Sequence, residues 1–439
     1  MSQSRPPGPD GWPLVGNTIQ YVRNPFDFRQ ECVEKYGDVV YMKNFGVEVY
    51  MLAHPEYFQR VLVSEADEFT KHQITRDRVG KVFGNGLLLS RGDFWERQRE
   101  YMQPMFRPER VQTYAEMMTG FGERKIDEWE SGETYELKRQ MKELTLQITI
   151  KALFGIDLKY DDSGLGYAIE DLFAKFEPSK MVFPYWVPTP TNIRLKRAKK
   201  RLENSLDDMI ERRRAADDLG EDLLSRLIDA NAGDMMTDRE MKDEMINMVL
   251  AGHETTGLVL TYTLYLLSEH PEIRRELVEE VDEVVGDETP TTEHLEEMDY
   301  LEQVLNESMR LYSPTHTIAR EPLEDVEFDG YTIPEGSYVA LSAYVVHHDD
   351  RWYDDPFQFK PERWTDDLED ELPGCAYVPF GAGPRRCIGD HFGWMEARLL
   401  LVQLLQNVQV DYVADHPMEV NASLTIQPKN PVTVQITER

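Results

Sequence analysis

Phe380-Gly-Ala-Gly-Pro-Arg-Arg-Cys387-Ile-Gly389 is the stretch from which the rest of this chain can be read. Directly behind it, Phe392, Met395, Ala397, Leu399, Leu400, Val402, Leu404 and Leu405 recur at helical spacing. Cys387 is therefore expected at or near a helix N-terminus, where free N–H groups and the positive end of the macrodipole favour an anion. Gly381, Gly383 and Gly389 lack a Cβ and let backbone approach the sulfur, while Arg385 and Arg386 add positive charge. The pattern predicts a shielded thiolate.

Counting tests the rival readings of this stretch. A dinucleotide fingerprint begun at Gly381 and Gly383 needs a third glycine where Arg386 stands. A cysteine phosphatase wants an arginine where Gly393 stands. Zinc wants a second ligand at short spacing, yet Cys375 and Cys387 are twelve apart and Cys32 is remote. A buried structural cysteine is the plain alternative, and the flanking glycines and arginines weigh against it. An amide-cradled thiolate suits metal ligation, and a haem iron is one such metal.

Composition narrows the setting. Across 439 residues there is no Gly/Ser linker, low-complexity tract or fixed-period repeat, so one domain spanning 1–439 is expected. Three unpaired cysteines fit a reducing, cytoplasmic compartment. The opening Met1-Ser-Gln-Ser-Arg-Pro-Pro-Gly-Pro holds no apolar run of anchor length, so no transmembrane anchor is expected. Lys+Arg 48 against Asp+Glu 81 gives a net charge of −33, which repels nucleic acid and anionic lipid. Acidic clusters recur along the chain (Asp161-Asp162, Glu279-Glu280, Asp349-Asp350, Asp366-Asp367), so the excess is not one tail. Such self-repulsion needs screening, and a salt-adapted protein of a halophilic archaeon or bacterium is the expectation.

Val39–Met42 and Val47–Met51 read as a hairpin around Asn44-Phe45-Gly46. From about residue 95 to 315 helical patterns dominate; strands return near Tyr331–Leu341 and Val432–Ile436. The fold class is α+β, mainly α-helical. A long helix should run from Thr237, with Glu240 as its capping-box partner, to His270 before Pro271. Within its apolar half lies the polar knot Gly252-His-Glu-Thr-Thr256, which is costly unless hydrogen-bonded or at work. A membrane span is disfavoured by His253 and Glu254, and a zinc-protease motif by Gly257 in place of a second histidine.

Phe380, Gly383, Arg385, Cys387 and Gly389 together resemble the haem-binding motif Phe-x-x-Gly-x-Arg-x-Cys-x-Gly of the cytochrome P450 family, and the resemblance covers roughly residues 5 to 437. It implies that family's helix-rich fold with small sheets, haem b (iron protoporphyrin IX), and Cys387 as iron ligand. Ala251-Gly-His-Glu-Thr resembles the oxygen-activation motif. There Gly252 would leave room for O2, Thr255 would hold it with an ordered water, and Glu254 would relay protons from solvent. Glu307-x-x-Arg310 with Pro361-Glu-Arg363-Trp implies a structural cluster Glu307–Arg310–Arg363. Trp95-x-x-x-Arg99, Arg320 and Arg385 imply contacts to the haem propionates, with His72 a weaker candidate.

The same resemblance implies a pocket lined from Phe83–Leu88, the helix near Ala251, Thr315–Ile318 and the turn near Leu424. Phe183–Pro190 is expected in a lid or access channel. A lipophilic substrate such as a fatty acid, terpenoid or carotenoid would suit that lining. No flavin or iron–sulfur segment is present, so a separate ferredoxin- or flavodoxin-type donor is implied, docking on Arg97, Arg107, Arg110, Arg385 and Arg386. The implied reaction is monooxygenation with O2. A peroxide-using peroxygenase and a non-catalytic haem sensor or carrier are the alternatives, and the intact Glu254-Thr255 pair disfavours both.

Overall fold

In the computed structural model, which describes residues 5–158, 165–181, 183–217 and 219–439, helices dominate and small sheets flank them. The expectations placed on Met1–Ser4 and on Asp161-Asp162 lie outside the described residues. The helices that build or flank the site are α1 (Thr18–Arg23), α2 (Gln73–Phe83), α3 (Gly92–Met102), α4 (Leu137–Phe154), α5 (Leu165–Phe173), α6 (Pro190–Arg214), α7 (Asp238–Glu269), α8 (Asp299–Leu311) and α9 (Asp390–Asn407).

Helix α7 begins where the capping box requires. Glu240 N–H donates to Thr237 Oγ1 at 3.2 Å, and the Glu240 carboxylate accepts from Thr237 N–H at 2.7 Å. His270 is the C-cap, and Pro271 opens the next helix. With 32 residues, α7 runs roughly 48 Å through the main core. Two glycines let α4 cross it closely. A Cβ on Gly257 would lie 3.1 Å from the Lys142 Cα, and one on Gly252 would lie 2.9 Å from Thr149 Cγ2. Helices α4, α7 and α9 thus share a single hydrophobic cluster reaching from Phe26 to Ile436.

The predicted hairpin is present as β1 (Val39–Asn44) and β2 (Val47–Leu52), paired from Val39↔Leu52 to Asn44↔Val47. Its two-residue turn takes positive φ at both positions, 53° at Phe45 and 78° at Gly46, as a right-twisted hairpin demands. With β3 (Phe69–Thr70), β4 (Ile318–Pro322) and β5 (Tyr338–Leu341) it forms a sheet in the order β1-β2-β5-β4-β3. The β2–β5 pairing is parallel and the other pairings are antiparallel. This sheet carries Arg320 on β4 to the edge of the site. A second sheet joins 134–136, 408–412 and 433–438, which is where the C-terminal alternating pattern goes. The acidic Glu279-Glu280 pair lies within the helix Pro271–Val284, and Asp349 is spent on Arg351 at 2.5 Å.

Candidate active site

The cysteine loop is held from several sides. Cys387 N–H donates to Phe380 C=O at 2.9 Å, and Arg386 N–H donates to Gly383 C=O at 3.0 Å. Gly383 adopts φ +68°, and a Cβ there would fall 1.8 Å from the Leu62 carbonyl oxygen. Its role is close packing on the turn at 60–64; it does not line the cavity that Cys387 faces. That corrects its reading as a cofactor contact. Gly389 is the N-cap of α9, so the sulfur does sit just ahead of a helix start.

The charge state of that sulfur differs from the expectation. Burial is the largest influence and raises the Cys387 pKa, with Asp390 adding to it. The Gly389 N–H, Arg99 and Arg386 pull the other way and do not win. A cation bound beside the sulfur would favour the thiolate.

Cys387 opens onto an internal cavity of about 600 Å³ between α7 and the cysteine loop. Ala251, Gly252, Glu254 and Thr255 line it from α7, and Phe380, Arg385 and Gly389 from the loop. The other predicted walls converge on it: Phe83 and Leu88, Thr315 to Ile318, and Leu424. The 84–88 loop is held against α7 by side chains. Asn85 N–H donates to Asp243 at 2.8 Å, Leu87 N–H to Glu244 at 2.9 Å, and Leu88 N–H to Asn247 at 3.1 Å. Phe183 to Pro190 do not line the cavity, whereas Phe173 of α5 and Phe176 do.

Three cations gather at one end. Lys71, Arg320 and Arg385 all line the cavity, and among the described residues none of them forms an ion pair with a carboxylate. Arg320 reaches only the Ala319 carbonyl, at 3.0 Å. Burial, and then Arg385, pushes the Arg320 pKa down to about 10. Burial pushes Arg385 down to about 10 as well, with Arg91 contributing. Lys71 is lowered well below the usual ammonium range by burial and by both arginines. A cluster of buried, mutually repelling cations is incomplete without an anion. The carboxylates of a haem would complete it, and the sulfur facing the same cavity supplies an axial ligand; the residues present fit the group.

Of the neighbouring Lys71 and His72, the resemblance offered His72 as a weaker candidate, and the cavity takes Lys71. His72 Nδ1 accepts from Ile74 N–H at 2.9 Å and caps α2, while Lys71 enters the cavity. Trp95 and Arg99 lie on one face of α3 but do not line the cavity. The Arg385 guanidinium lies over the Trp95 ring at 4.3 Å, and Arg99 Nη1 donates to the Arg386 carbonyl at 2.7 Å. Both steady the groups that face the cavity. Arg385 also donates to Ser90 C=O at 3.0 Å, so it is an interior residue and leaves the expected docking patch.

On α7 the polar knot is resolved into partners. Thr255 Oγ1 donates to Ala251 C=O at 2.9 Å, which leaves the oxygen lone pairs free to accept from the cavity side. Gly252 lines the cavity, and because a Cβ there would meet Thr149 at 2.9 Å, the close helix crossing also requires the glycine. Glu254 is 1% exposed. Its Oε1 accepts from Lys142 Nζ at 2.8 Å and from Gln427 Nε2 at 2.5 Å, whereas Oε2 has no hydrogen bond. Burial alone would raise its pKa; Lys142, His253 and Gln427 reverse that and hold it below the usual range. Neither Lys142 nor Gln427 had been legible, since each is more than 100 residues away in sequence. His253 Nδ1–H donates to Val249 C=O at 2.7 Å, and burial pushes its pKa down to about 4.

Below the cavity, Glu307 accepts from Arg310 at 2.8 Å on both oxygens, from Arg363 at 3.0 Å, and from Trp364 Nε1 at 2.9 Å. Arg310 donates its remaining hydrogens to the His347 and Pro356 carbonyls at 2.6 and 2.7 Å. This is the Glu307–Arg310–Arg363 cluster that the family resemblance implied.

The sequence model of the cytochrome P450 family matches residues 6–435. The chain belongs to the cytochrome P450 family. It is accordingly a haem-dependent monooxygenase. It is similar to the cyclooctat-9-en-7-ol 5-monooxygenase of Streptomyces melanosporofaciens, 33% identical over 90% of this chain and 87% of the relative. It is also similar to the pentalenene oxygenase of Streptomyces avermitilis, 28% identical over 98% and 97%. Human cytochrome P450 3A5 is 28% identical over 99% of this chain and 91% of its own length. Among the described residues no helix of this P450 is long and apolar enough to cross a membrane.

Proposed function

We propose that residues 1–439 form one haem-thiolate domain that uses O2 to hydroxylate a lipophilic, cyclic terpenoid, with haem b on Cys387 and electrons from a separate ferredoxin- or flavodoxin-type protein. One observation carries this reading: a sulfur and three unpaired cations converge on an apolar cavity whose opposite wall is Ala251 to Thr255. The terpenoid class rests on the relatives named for cyclooctat-9-en-7-ol and pentalenene. Exposed Arg97 and Arg107, with Arg110 and Arg386, remain the proposed docking cations for the electron donor.

The haem, when bound, supplies the reductive activation of O2 and the oxygen transfer. The chain's own groups do the rest. Lys71, Arg320 and Arg385 would hold its carboxylates, and Cys387 its iron, with Phe380, Gly389 and Ala251 as walls. Thr255 Oγ1 offers an acceptor for a proton-bearing partner in the cavity. Glu254 Oε2, free of hydrogen bonds, is the atom that would take and give a proton, while Lys142 Nζ donates a hydrogen bond to its sister oxygen and favours the ionised carboxylate.

The deciding experiment is the absorbance of reduced, carbon-monoxide-treated protein, followed by substrate-dependent O2 consumption with cyclic terpenoids. Wild type should show the red-shifted Soret band of sulfur ligation; Cys387→Ser should lose it and all turnover. A folded, pigment-loaded wild type without that band ends the proposal. The net charge of −33 further supports a salt-adapted protein. Its melting temperature should climb between low and molar salt, and a flat response would remove that part.

A further inference from the structure

The cavity holds a buried cation that the haem carboxylates leave unanswered. Arg29 comes from the helix Pro25–Tyr36, is 5% exposed, and lines the cavity beside Tyr21 of α1. Its guanidinium has neutral partners only. Nη1 donates to Thr317 Oγ1 at 2.8 Å and to His316 Nδ1 at 3.1 Å, and Nη2 donates to the Tyr21 hydroxyl. The other nitrogen of His316 fixes these roles, because Nε2 lies 2.9 Å from the Ser423 carbonyl, which can only accept. Burial, with Arg29 adding to it, pushes the His316 pKa down to about 3, so the ring is neutral and Nδ1 is an acceptor. These bonds occupy at most three of the five N–H donors of the guanidinium. Among the described residues no carboxylate forms an ion pair with Arg29, and Asp27 on the same helix is exposed and bonded by Asn24.

A second cation accompanies it. Arg78 of α2 lines the cavity, and among the described residues its guanidinium enters no hydrogen bond or ion pair; only its carbonyl is used, by Tyr185. Both arginines act on Tyr338 of β5: burial raises the pKa of that hydroxyl, and Thr75, Arg29 and Arg78 oppose the rise. The hydroxyls of Tyr21, Thr75, Thr317 and Tyr338 therefore line the same region as the two cations. Apolar wall adjoins it on the sheet, where Val49 pairs with Tyr338 and Met51 with Ala340.

This group is distinct from Lys71, Arg320 and Arg385. Neither Arg29 nor Arg78 contributes to the shifts of those three, which come from burial and from charges nearer to them. Thr317, which Arg29 holds, precedes Arg320 by three residues, roughly 10 Å of extended chain. A haem anchored at Arg320 thus leaves Arg29 uncompensated, and an unpaired buried charge is costly.

We propose that Arg29, assisted by Arg78, is a carboxylate subsite, and that the substrate is a lipophilic acid whose apolar skeleton extends from Arg29 toward Cys387. A single negative charge balances a guanidinium whose other partners are neutral, and two planar oxygens suit its remaining N–H groups. That the skeleton reaches the haem rests on the proposed function above; capture of the carboxylate does not.

The test is isothermal calorimetry of the haem-loaded protein at neutral pH with abietic acid and with methyl abietate, tricyclic diterpenoids that differ at the charged end. Wild type should hold the acid at least about tenfold more tightly than the ester. Arg29→Gln should erase that preference and leave affinity for the ester within about twofold. Arg29→Lys should recover part of it, as a cation without the planar fork. Arg78→Gln should weaken the acid by a smaller factor than Arg29→Gln. An unchanged carbon-monoxide spectrum shows the variants folded, and the acid–ester comparison on wild type needs no variant. Equal affinity for acid and ester, a preference that survives Arg29→Gln, or tighter binding of dodecyl phosphate than of dodecanoate would overturn the subsite. O2 consumption separates this inference from the reading it deepens. Arg29-dependent binding of the acid without turnover of either compound supports the subsite and counts against terpenoid hydroxylation. Turnover of both compounds at equal affinity sinks the subsite and leaves the hydroxylation standing.

Discussion

Two buried clusters of charge lie on either side of the cysteine loop and could hardly be more different. Around Glu307 each carboxylate oxygen and the Arg310 guanidinium have protein partners, and both residues are fully buried. Around Arg320 there are three cations, none of which forms an ion pair with a carboxylate among the described residues. The first is complete as folded; the second is a socket. A closed cluster reports architecture and an open one reports a guest, although from sequence both are merely arginines at suggestive spacings. The Glu254 group stands between them, closed on Oε1 and open on Oε2.

The contrast is broken most severely at Glu307. Glu307→Gln leaves Arg310 and Arg363 charged and buried, at a cost of about 3–5 kcal/mol. Urea unfolding and haem content of the purified variant should both register it. Loss of turnover with stability intact would instead make the cluster catalytic.

Acid attacks the same closed cluster. Burial holds His347 at about 3, with His348 and Arg310 adding to the effect, and it holds His348 at about 3, with Arg310 adding. These folded values lie below the unfolded one, so the unfolded chain takes up protons first. The stabilisation is complete above about pH 6.5 and is lost as pH falls toward 3, at about 1.4 kcal/mol per unit for each histidine. Unfolding followed at pH 6.5 and 5.5 in His347→Gln should show a shallower slope than wild type.

The intermediate group should split function from stability. Glu254→Gln keeps the contacts of Oε1 in shape but removes the proton-carrying oxygen, and turnover should fall about a hundredfold. Substrate-induced spectral shifts should persist, and their loss would mean that Glu254 shapes the pocket instead. The open cluster gives the smallest and most telling effect. Arg320→Met relieves repulsion, so the haem-free protein should keep its stability or gain about 1 kcal/mol. Haem retention against apomyoglobin should fall about tenfold. Destabilisation of the haem-free form would put Arg320 in the same category as Glu307.

What sequence could reveal follows from the same distinction. Local devices were legible because spacing encodes them: the Thr237–Glu240 box, the hairpin closing at Phe45-Gly46, and Cys387 ahead of α9. The Glu307 triad was legible only through family resemblance, since Arg363 arrives from 56 residues away. Illegible was which side of a wall each side chain takes. Lys71 and His72 are neighbours, yet one enters the cavity and the other caps a helix. The spacing did not reveal that a Cβ on Gly252 would meet Thr149 and one on Gly383 the Leu62 carbonyl. At Cys387 burial and Asp390 push the pKa up against the Gly389 N–H, Arg99 and Arg386, a balance that spacing alone did not reveal.

The bond from Gln427 to Glu254 has a bearing on biosynthesis. Gln427 belongs to the hairpin 420–428, whose Ile426 carbonyl also receives the Tyr262 hydroxyl at 2.8 Å. These residues emerge from the ribosome after Cys387 and long after the central helix. The proton-handling carboxylate is therefore finished by a segment translated after both the helix that carries it and the cysteine that would hold the iron.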